Sequence, residues 1–204
     1  MSIPQFSPLV LESLLVTSLR YYFSTNTEQF KLVWNEDEKK RSMDIGAVLD
    51  FSKIPLQEKP RILIDRGGYQ VSKSSISNSM MSQKTFGETG GLIDKQNFYF
   101  VQGQATMYIE ARQKGAAETL TELATRFIGW SSPLLCSALG FKELGLPMSV
   151  SPCQLTNPEQ ETEIFSTQVS LPWMKEDTWR IHTDGIKFKS FVLQLVADGL
   201  PVPD

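Results

Sequence analysis

The chain contains few of the residues that catalysis and metal binding use. It has one histidine, His182, and two cysteines, Cys136 and Cys153, in 204 residues. One histidine does not make a metal-ligand cluster, and two cysteines without a CxxC pair match neither a zinc site nor a redox motif. A GxSxG elbow and a Walker motif are also missing. We therefore expect no catalytic residue, no metal and no cofactor, and we interpret both cysteines as free thiols.

A catalytic pair of carboxylates, as in glycoside hydrolases, remains an open alternative, because the fold can bring together residues that are distant in the sequence. The sequence does not identify such a pair, since the local context distinguishes none of the 23 acidic residues.

An excess of positive charge is missing as well. The chain has 20 basic and 23 acidic residues, a formal net charge of -3, whereas a dedicated nucleic-acid binder uses a basic excess to neutralise phosphates. A local basic patch remains an open alternative, because the net charge does not show where on the surface the charges lie. No apolar run reaches about 18 residues, and residues 1–6 lack the pattern of a signal peptide. We expect a soluble protein that folds in the cytoplasm and has no membrane partner.

The hydrophobic pattern predicts a single α+β domain over residues 1–204. The chain is 41% hydrophobic and 21% charged, which is ordinary for a globular protein. Ser7 and Pro8 suit the N-cap and the first residue of a helix. That helix is predicted to run to about Phe23, with an apolar stripe of Leu11, Leu14, Leu15, Ser18, Leu19 and Tyr22.

Alternating apolar residues predict a mixed, mainly antiparallel sheet packed against two main helices. Strands are predicted at residues 30–34, 45–51, 61–65, 69–71, 97–112, 165–171 and 186–196, with a bend at Gly103 and a strand end at Pro172. A second main helix is predicted at residues 115–129, with Glu122 and Arg126 as an i,i+4 pair. Residues 130–140 are predicted to follow as a short additional helix or turn, and residues 143–204 are predicted to hold C-terminal strands and an extension.

The glycine pair Gly67 and Gly68 admits two interpretations. A phosphate-binding turn of the dinucleotide type needs GxGxxG at the opening of a helix. Here a strand-like segment that starts at Tyr69 follows instead. A tight turn or bulge is therefore the better interpretation.

Residues 72–95 are rich in Ser, Asn, Gln and Gly and show no periodicity. Loops of more than about 12–15 residues are uncommon inside compact domains and are usually functional or disordered. This long excursion loop carries Ile76, Met80, Met81 and Phe86, and adaptable Met side chains suit a surface that contacts a partner. The alternative, equally open, is a loop folded onto its own core or an irregular strand.

Two further groups are candidate interface residues. The first is the charged run formed by Glu36, Asp37, Glu38, Lys39, Lys40 and Arg41, which is either a solvated hairpin tip or a docking feature. The second is the pair Trp173 and Trp179, which are either core or strand-edge residues or interface anchors.

The order of these elements resembles that of tailed-bacteriophage neck proteins, and most closely their tail-terminator, or tail-completion, subunits. The resemblance lies in residues 61–130, about a third of the chain. It rests on a strand that ends in the Gly67 turn, a long polar excursion, and a strand through Ile109, Glu110, Ala111 and Arg112 that leads into the helix at Gly115.

The resemblance implies a structural role in the virion, assembled in the host cytoplasm. Family members form a ring, usually a hexamer, that joins the tail tube to the head connector, with head-to-tail contacts that close by rotation. It implies as partners other copies of the chain, tail tube or sheath proteins, and head connector proteins. DNA passes through the channel without sequence-specific binding. The alternatives are another virion component, from the baseplate, tube or head-completion machinery, and a cytoplasmic small-molecule binding module.

Overall fold

The computed structural model of the chain describes residues 8–25, 32–51, 59–73, 82–86, 92–156 and 163–182. Side-chain positions are described for these residues except 8, 9, 73, 82–86, 92–98 and 177–182. The elements are α1 Pro8–Thr25, β1 Asp44–Ala47, α2 Val48–Phe51, β2 Arg61–Asp65, β3 Tyr69–Lys73, β4 Ser82–Phe86, β5 Leu92–Ala111, α3 Lys114–Leu139, β6 Phe141–Leu144, β7 Ser149–Val150, β8 Gln154–Leu155 and β9 Phe165–His182.

The fold is α+β, as predicted from the sequence. The strands form one mixed, mostly antiparallel sheet in the order β1-β2-β5-β9-β6, with β3 and β4 also paired to β5, and β7 and β8 to β9. The β1 and β2 strands are parallel, whereas β5 is antiparallel to β2. By contacts the chain divides into two compact units, residues 1–70 with 102–175 and residues 71–101 with 176–204. The expected single domain stays a prediction.

The core of the first unit lies between the sheet and the two long helices. The predicted stripe of α1 is buried at Leu11, Leu15 and Leu19, and this helix packs against β1, β2 and α3. The facing sheet positions are cross-strand partners in register, Ile45 with Ile62 and Ile62 with Ile109, and all three are buried. Each such side chain stabilises the fold by about 1.5–3 kcal/mol.

The second long helix is longer than predicted. We expected it to end at Gly129, but α3 continues through Pro133 to Leu139 and ends at Gly140, whose φ is 72°. The Gly140 N–H donates to the Cys136 carbonyl, as in an αL cap. Buried Ser132 donates its hydroxyl to the Leu144 carbonyl at 2.5 Å. This contact with β6 holds the last turns in place despite the proline.

Residues 32–35 are irregular and not the end of a strand, and residues 30–31 lie outside the described residues. The backbone donors of this segment are used elsewhere: Trp34 N–H donates to the Phe23 carbonyl at 3.3 Å, and Val33 N–H donates to the Ser42 hydroxyl at 2.7 Å. The Arg20 guanidinium lies 5.0 Å from the centre of the Trp34 ring. The backbone and side chain of Trp34 therefore attach this segment to α1, and the segment lacks the regular hydrogen-bond pattern of a strand.

The predicted returning strand over residues 45–51 ends at Ala47, where α2 begins. A Cβ on Gly46 would lie within 2.4 Å of the Phe51 ring, so the ring folds back over β1. Leu49, expected on the strand's apolar face, is 82% exposed. The alternation of apolar residues was therefore misleading here, because the chain turns.

Pro172 does not end its strand, since β9 continues to His182. The predicted alternation is correct up to that point, because Thr167, Val169 and Leu171 are buried. Proline removes one donor from the ladder. The Pro172 carbonyl still accepts a hydrogen bond from the Gly145 N–H at 2.7 Å.

The stretch 72–95, expected as a loop without regular structure, is strand in its described residues. In the second unit β4 pairs with β5 as an antiparallel hairpin, with Ser82 opposite Asn97 and Thr85 opposite Asp94. This is the irregular-strand alternative, since the register shifts between Thr85 and Phe86. The intervening residues 74–81 and 87–91, and the predicted strand 186–196, lie outside the described residues.

Candidate interaction surface

The charged run 36–41 forms a turn whose polar groups pair with one another. The Asp37 N–H donates to Asn35 Oδ1 at 2.9 Å, and the Lys39 N–H donates to Asp37 Oδ1 at 3.1 Å. Arg41 pairs with Asp44 at 2.9 Å and with Glu38 at 3.3 Å. Lys40 lies 3.9 Å from Asp37. This pattern fits a solvated tip, and a docking role for Glu36, Asp37, Lys39, Lys40 and Arg41 stays a prediction.

Trp173 is a core residue and not an exposed interface anchor. It is 3% exposed. Its ring centre lies 6.4 Å from that of Tyr69 and 6.4 Å from that of Phe141, the latter in an edge-to-face geometry. The core alternative is therefore correct for Trp173. Trp179 lies in β9, but its side chain is among those not described.

The remaining predicted interface residues belong to the second unit. Phe86 ends β4, and its side chain is not described. Ile76, Met80 and Met81 lie outside the described residues. Their predicted role in contacts with a partner stays a prediction.

The structure places exposed aromatic side chains where α1 and α3 meet, which the sequence analysis missed. Tyr21 on α1 and Trp130 on α3 are each 70% exposed. They line a shallow cavity of about 390 Å³, here called the aromatic helix surface, formed by Tyr21, Tyr22, Thr25, Arg126, Phe127 and Trp130. Leu134, one helical turn after Trp130, is also exposed.

Two stacked rings form the floor of the aromatic helix surface. The Tyr22 ring stacks on the Phe127 ring with centres 4.4 Å apart and planes at 19°. Arg126 pairs with Glu122 at 2.6 Å, which confirms the predicted i,i+4 pair. Tyr21 and Trp130 line the same cavity. Aromatic side chains with an apolar body and a polar tip are enriched at protein interfaces, so this surface suits contact with another protein.

A sequence signal for this surface does exist. The buried positions of α3 are Ala117, Leu120, Thr121, Ala124, Phe127, Ile128, Ser131 and Ser132, a stripe of helical period. Trp130 and Leu134 lie off that stripe. A helix predicted to end at Gly129 does not include them, so the sequence pattern does not predict their exposure.

A second concave feature, here called the polar groove, lies beside residues 102–104 of β5 in the first unit. It has a volume of about 540 Å³ and is lined by Gly68, Tyr69, Gln70, Gln102, Gly103, Gln104, Glu143, Pro172, Trp173 and Met174. These residues come from β3, β5, β6, β9 and the Gly67–Gly68 turn. Glu143 is the one charged residue among them.

The Gly67–Gly68 turn is a tight turn, as predicted. Gly67 has a φ of +63°, and a Cβ there would lie 2.3 Å from the Gln104 carbonyl oxygen. Its N–H donates to Asp65 Oδ1 at 3.1 Å. The turn carries the chain from β2 to β3 and leads into no helix, so its geometry differs from that of a dinucleotide-binding turn.

No protein-family model and no curated protein matches this chain.

Among the described residues, no group of three or more His, Cys, Asp or Glu side chains is placed to hold a metal ion. Both cysteines are free thiols, as predicted. His182 is the last residue of β9, and its side chain is not described. None of the helices in the described ranges is long and apolar enough to cross a membrane.

Proposed function

We propose that this chain is a structural subunit of the neck of a tailed bacteriophage, similar to a tail terminator. In this role copies of the chain assemble as a ring, a hexamer in most members of the family that it resembles, between the tail tube and the head connector. The observation that carries the proposal is the aromatic helix surface. Two large aromatic side chains, Tyr21 and Trp130, are each 70% exposed on adjoining helices, and such apolar patches mark interaction sites.

The order of elements supports the choice of a neck protein over other assemblies. From residue 61 onward the chain forms β2, the Gly67 turn, β3, the β4–β5 hairpin and the end of β5, which leads within two residues into α3. This is the order on which the resemblance rests. The hairpin stands where a loop was expected, and in the proposed ring we expect it to contact a neighbouring subunit.

A closed ring requires that one surface of each subunit contact a different surface of the next. The aromatic helix surface supplies the first of these. Its aromatic rings offer a large contact area at low conformational cost, because each has two side-chain torsions. In such a contact Trp130 is the expected central anchor.

The test is the mass of the native assembly and its appearance in electron micrographs. The wild-type chain is expected to form closed rings, alone or on assembled tail tubes. Trp130→Lys removes the anchor and places a charge in the contact, so it is expected to prevent ring formation while leaving the circular dichroism spectrum unchanged.

Leu49→Lys is the matched control, because Leu49 is also an exposed apolar residue but lies on α2, outside the aromatic helix surface. It is expected to form rings as the wild type does. Chains that remain monomeric both alone and with tail tubes would contradict the proposed function. Rings that survive Trp130→Lys would show that the contact lies elsewhere.

A further inference from the structure

Four exposed polar or charged side chains line the polar groove. Gln70 lies on β3, Gln102 and Gln104 on β5, and Glu143 on β6. In the part of the chain that the structure describes, none of these four side chains has a hydrogen-bond partner. Each carboxamide offers two donors and one acceptor, and the carboxylate offers acceptors only.

Two of these groups share one face of the sheet. Gln102 and Gln104 are separated by a single residue, so their side chains leave the same face of β5, about 6.6–6.8 Å apart along the strand. Glu143 of β6 is opposite Met174 of β9 in register, and both line the groove. The polar groups therefore come from three strands that are distant in the sequence.

We propose that the polar groove binds a neutral saccharide. A sugar hydroxyl donates one hydrogen bond and accepts others, and carboxamides match this because they too donate and accept. The lining residues include no cation, and Glu143 would repel an anion. A volume of about 540 Å³ lies within the range of about 300–1,000 Å³ that is typical of small-ligand sites.

The aromatic residues of the groove suit the apolar face of a sugar. Tyr69 is 51% exposed, and the buried Trp173 ring, 6.4 Å away between centres, supports it from one side. An exposed ring held in this way can pack against the C–H groups of a pyranose.

This site goes beyond the proposed ring function and does not depend on it. The experiment is saturation-transfer NMR on the full chain. The probes are glucose, galactose, N-acetylglucosamine, rhamnose, and disaccharides built from these, with glucuronic acid as an anionic comparison. We expect transfer to at least one neutral sugar. The double variant Gln102→Leu/Gln104→Leu, which preserves side-chain size at exposed positions, is expected to weaken binding by about tenfold or more, as the loss of two hydrogen bonds predicts.

Gln113→Leu is the matched control, because Gln113 is an exposed glutamine at the start of α3 with no side-chain capping bond. It is expected to bind as the wild type does. Circular dichroism of each variant separates loss of binding from loss of fold. The proposal is overturned if no neutral sugar shows transfer, if the double variant binds as well as the wild type, or if glucuronic acid binds more tightly than glucose.

Discussion

At the scale of single residues, Gly103 sets how closely Trp173 approaches β5. A Cβ on Gly103 would lie 2.7 Å from the Gly68 carbonyl oxygen and 2.8 Å from Trp173 Cζ2. Real Cβ atoms do not come so close, so any side chain would displace the indole or the Gly67–Gly68 turn. The bend expected at Gly103 is thus better described as a close approach, a known role of glycine in strands.

Replacing Gly103 should therefore destabilise the fold. Gly103→Ala is expected to lower the free energy of unfolding by about 1–3 kcal/mol, as overpacking of a core does. Gly115→Ala is the control, because a Cβ at that first-turn position of α3 would meet no atom within 4 Å. There the change is expected to be neutral or to stabilise by up to about 1 kcal/mol. Urea unfolding of both variants measures the difference, and equal effects would show that the close approach is not maintained.

The tryptophans Trp173 and Trp130 provide a second comparison of single residues. Trp173→Ala empties a buried site and is expected to lower the free energy of unfolding by about 3–5 kcal/mol. Trp130→Ala, at an exposed position, should change it by no more than about 0.5 kcal/mol. The measurement is urea unfolding at a protein concentration below that of assembly, since association adds to apparent stability. A large loss for Trp130→Ala would mean that its ring packs on the fold in the isolated subunit.

At the scale of elements, α3 continues past a residue that normally interrupts a helix. Pro133 lies inside it, where proline has no N–H for the carbonyl four residues earlier and its ring crowds that carbonyl. The helix persists because its last turns are anchored on β6, where Ser132 donates to Leu144. Tertiary packing here outweighs the local preference of the sequence.

Removing the proline should therefore strengthen the helix. Pro133→Ala is expected to raise the free energy of unfolding by about 1–3 kcal/mol, because the Gly129 carbonyl gains a donor. Pro152→Ala is the comparison variant and is expected to have the opposite effect, because Pro152 lies outside helices and strands. It is expected to lower the free energy by up to about 1 kcal/mol, because the unfolded chain gains freedom. Thermal unfolding of both variants tests the prediction, and a destabilised Pro133→Ala variant would contradict it.

At the scale of the whole molecule, the buried core and the segment predicted to act in assembly belong to different compact units. The first unit holds the helices and the buried apolar positions named above. The β4–β5 hairpin belongs to the second unit, whose residues are 71–101 and 176–204. The proposed ring uses the aromatic helix surface of the first unit and, as the sequence predicts, the segment that contains Met80, Met81 and Phe86.

Deletion of residues 80–90 tests that segment. The deletion removes β4 but none of the buried core residues of the first unit. Hydrogen exchange is therefore expected to show unchanged protection of β2 and α3. Native mass measurement is expected to show that rings are lost. If rings persist in the deleted chain, the segment has no role in assembly, and the aromatic helix surface would be the remaining candidate.

The sequence by itself determined the elements that follow from local periodicity. The stripe of α1, the strand β2 and the alternation that leads to Leu171 are each set by residues that must share a face, so a period of 3.6 or 2 reveals them. The same holds for the absence of a recognisable nucleophile or zinc motif, which composition and spacing decide.

The tertiary structure decided what periodicity cannot specify, namely which faces are covered. Trp173 and Trp130 are the same residue type, yet Trp173 is buried against Gly103 and Trp130 is exposed on α3. The ring of Phe51 over Gly46 ended a strand that alternation would have continued. Both candidate sites combine residues that are far apart in the chain, Tyr21 with Trp130 and Gln70 with Glu143. Such groups meet only when the sheet and helices pack, because side chains on separate elements are brought together by packing and not by sequence spacing.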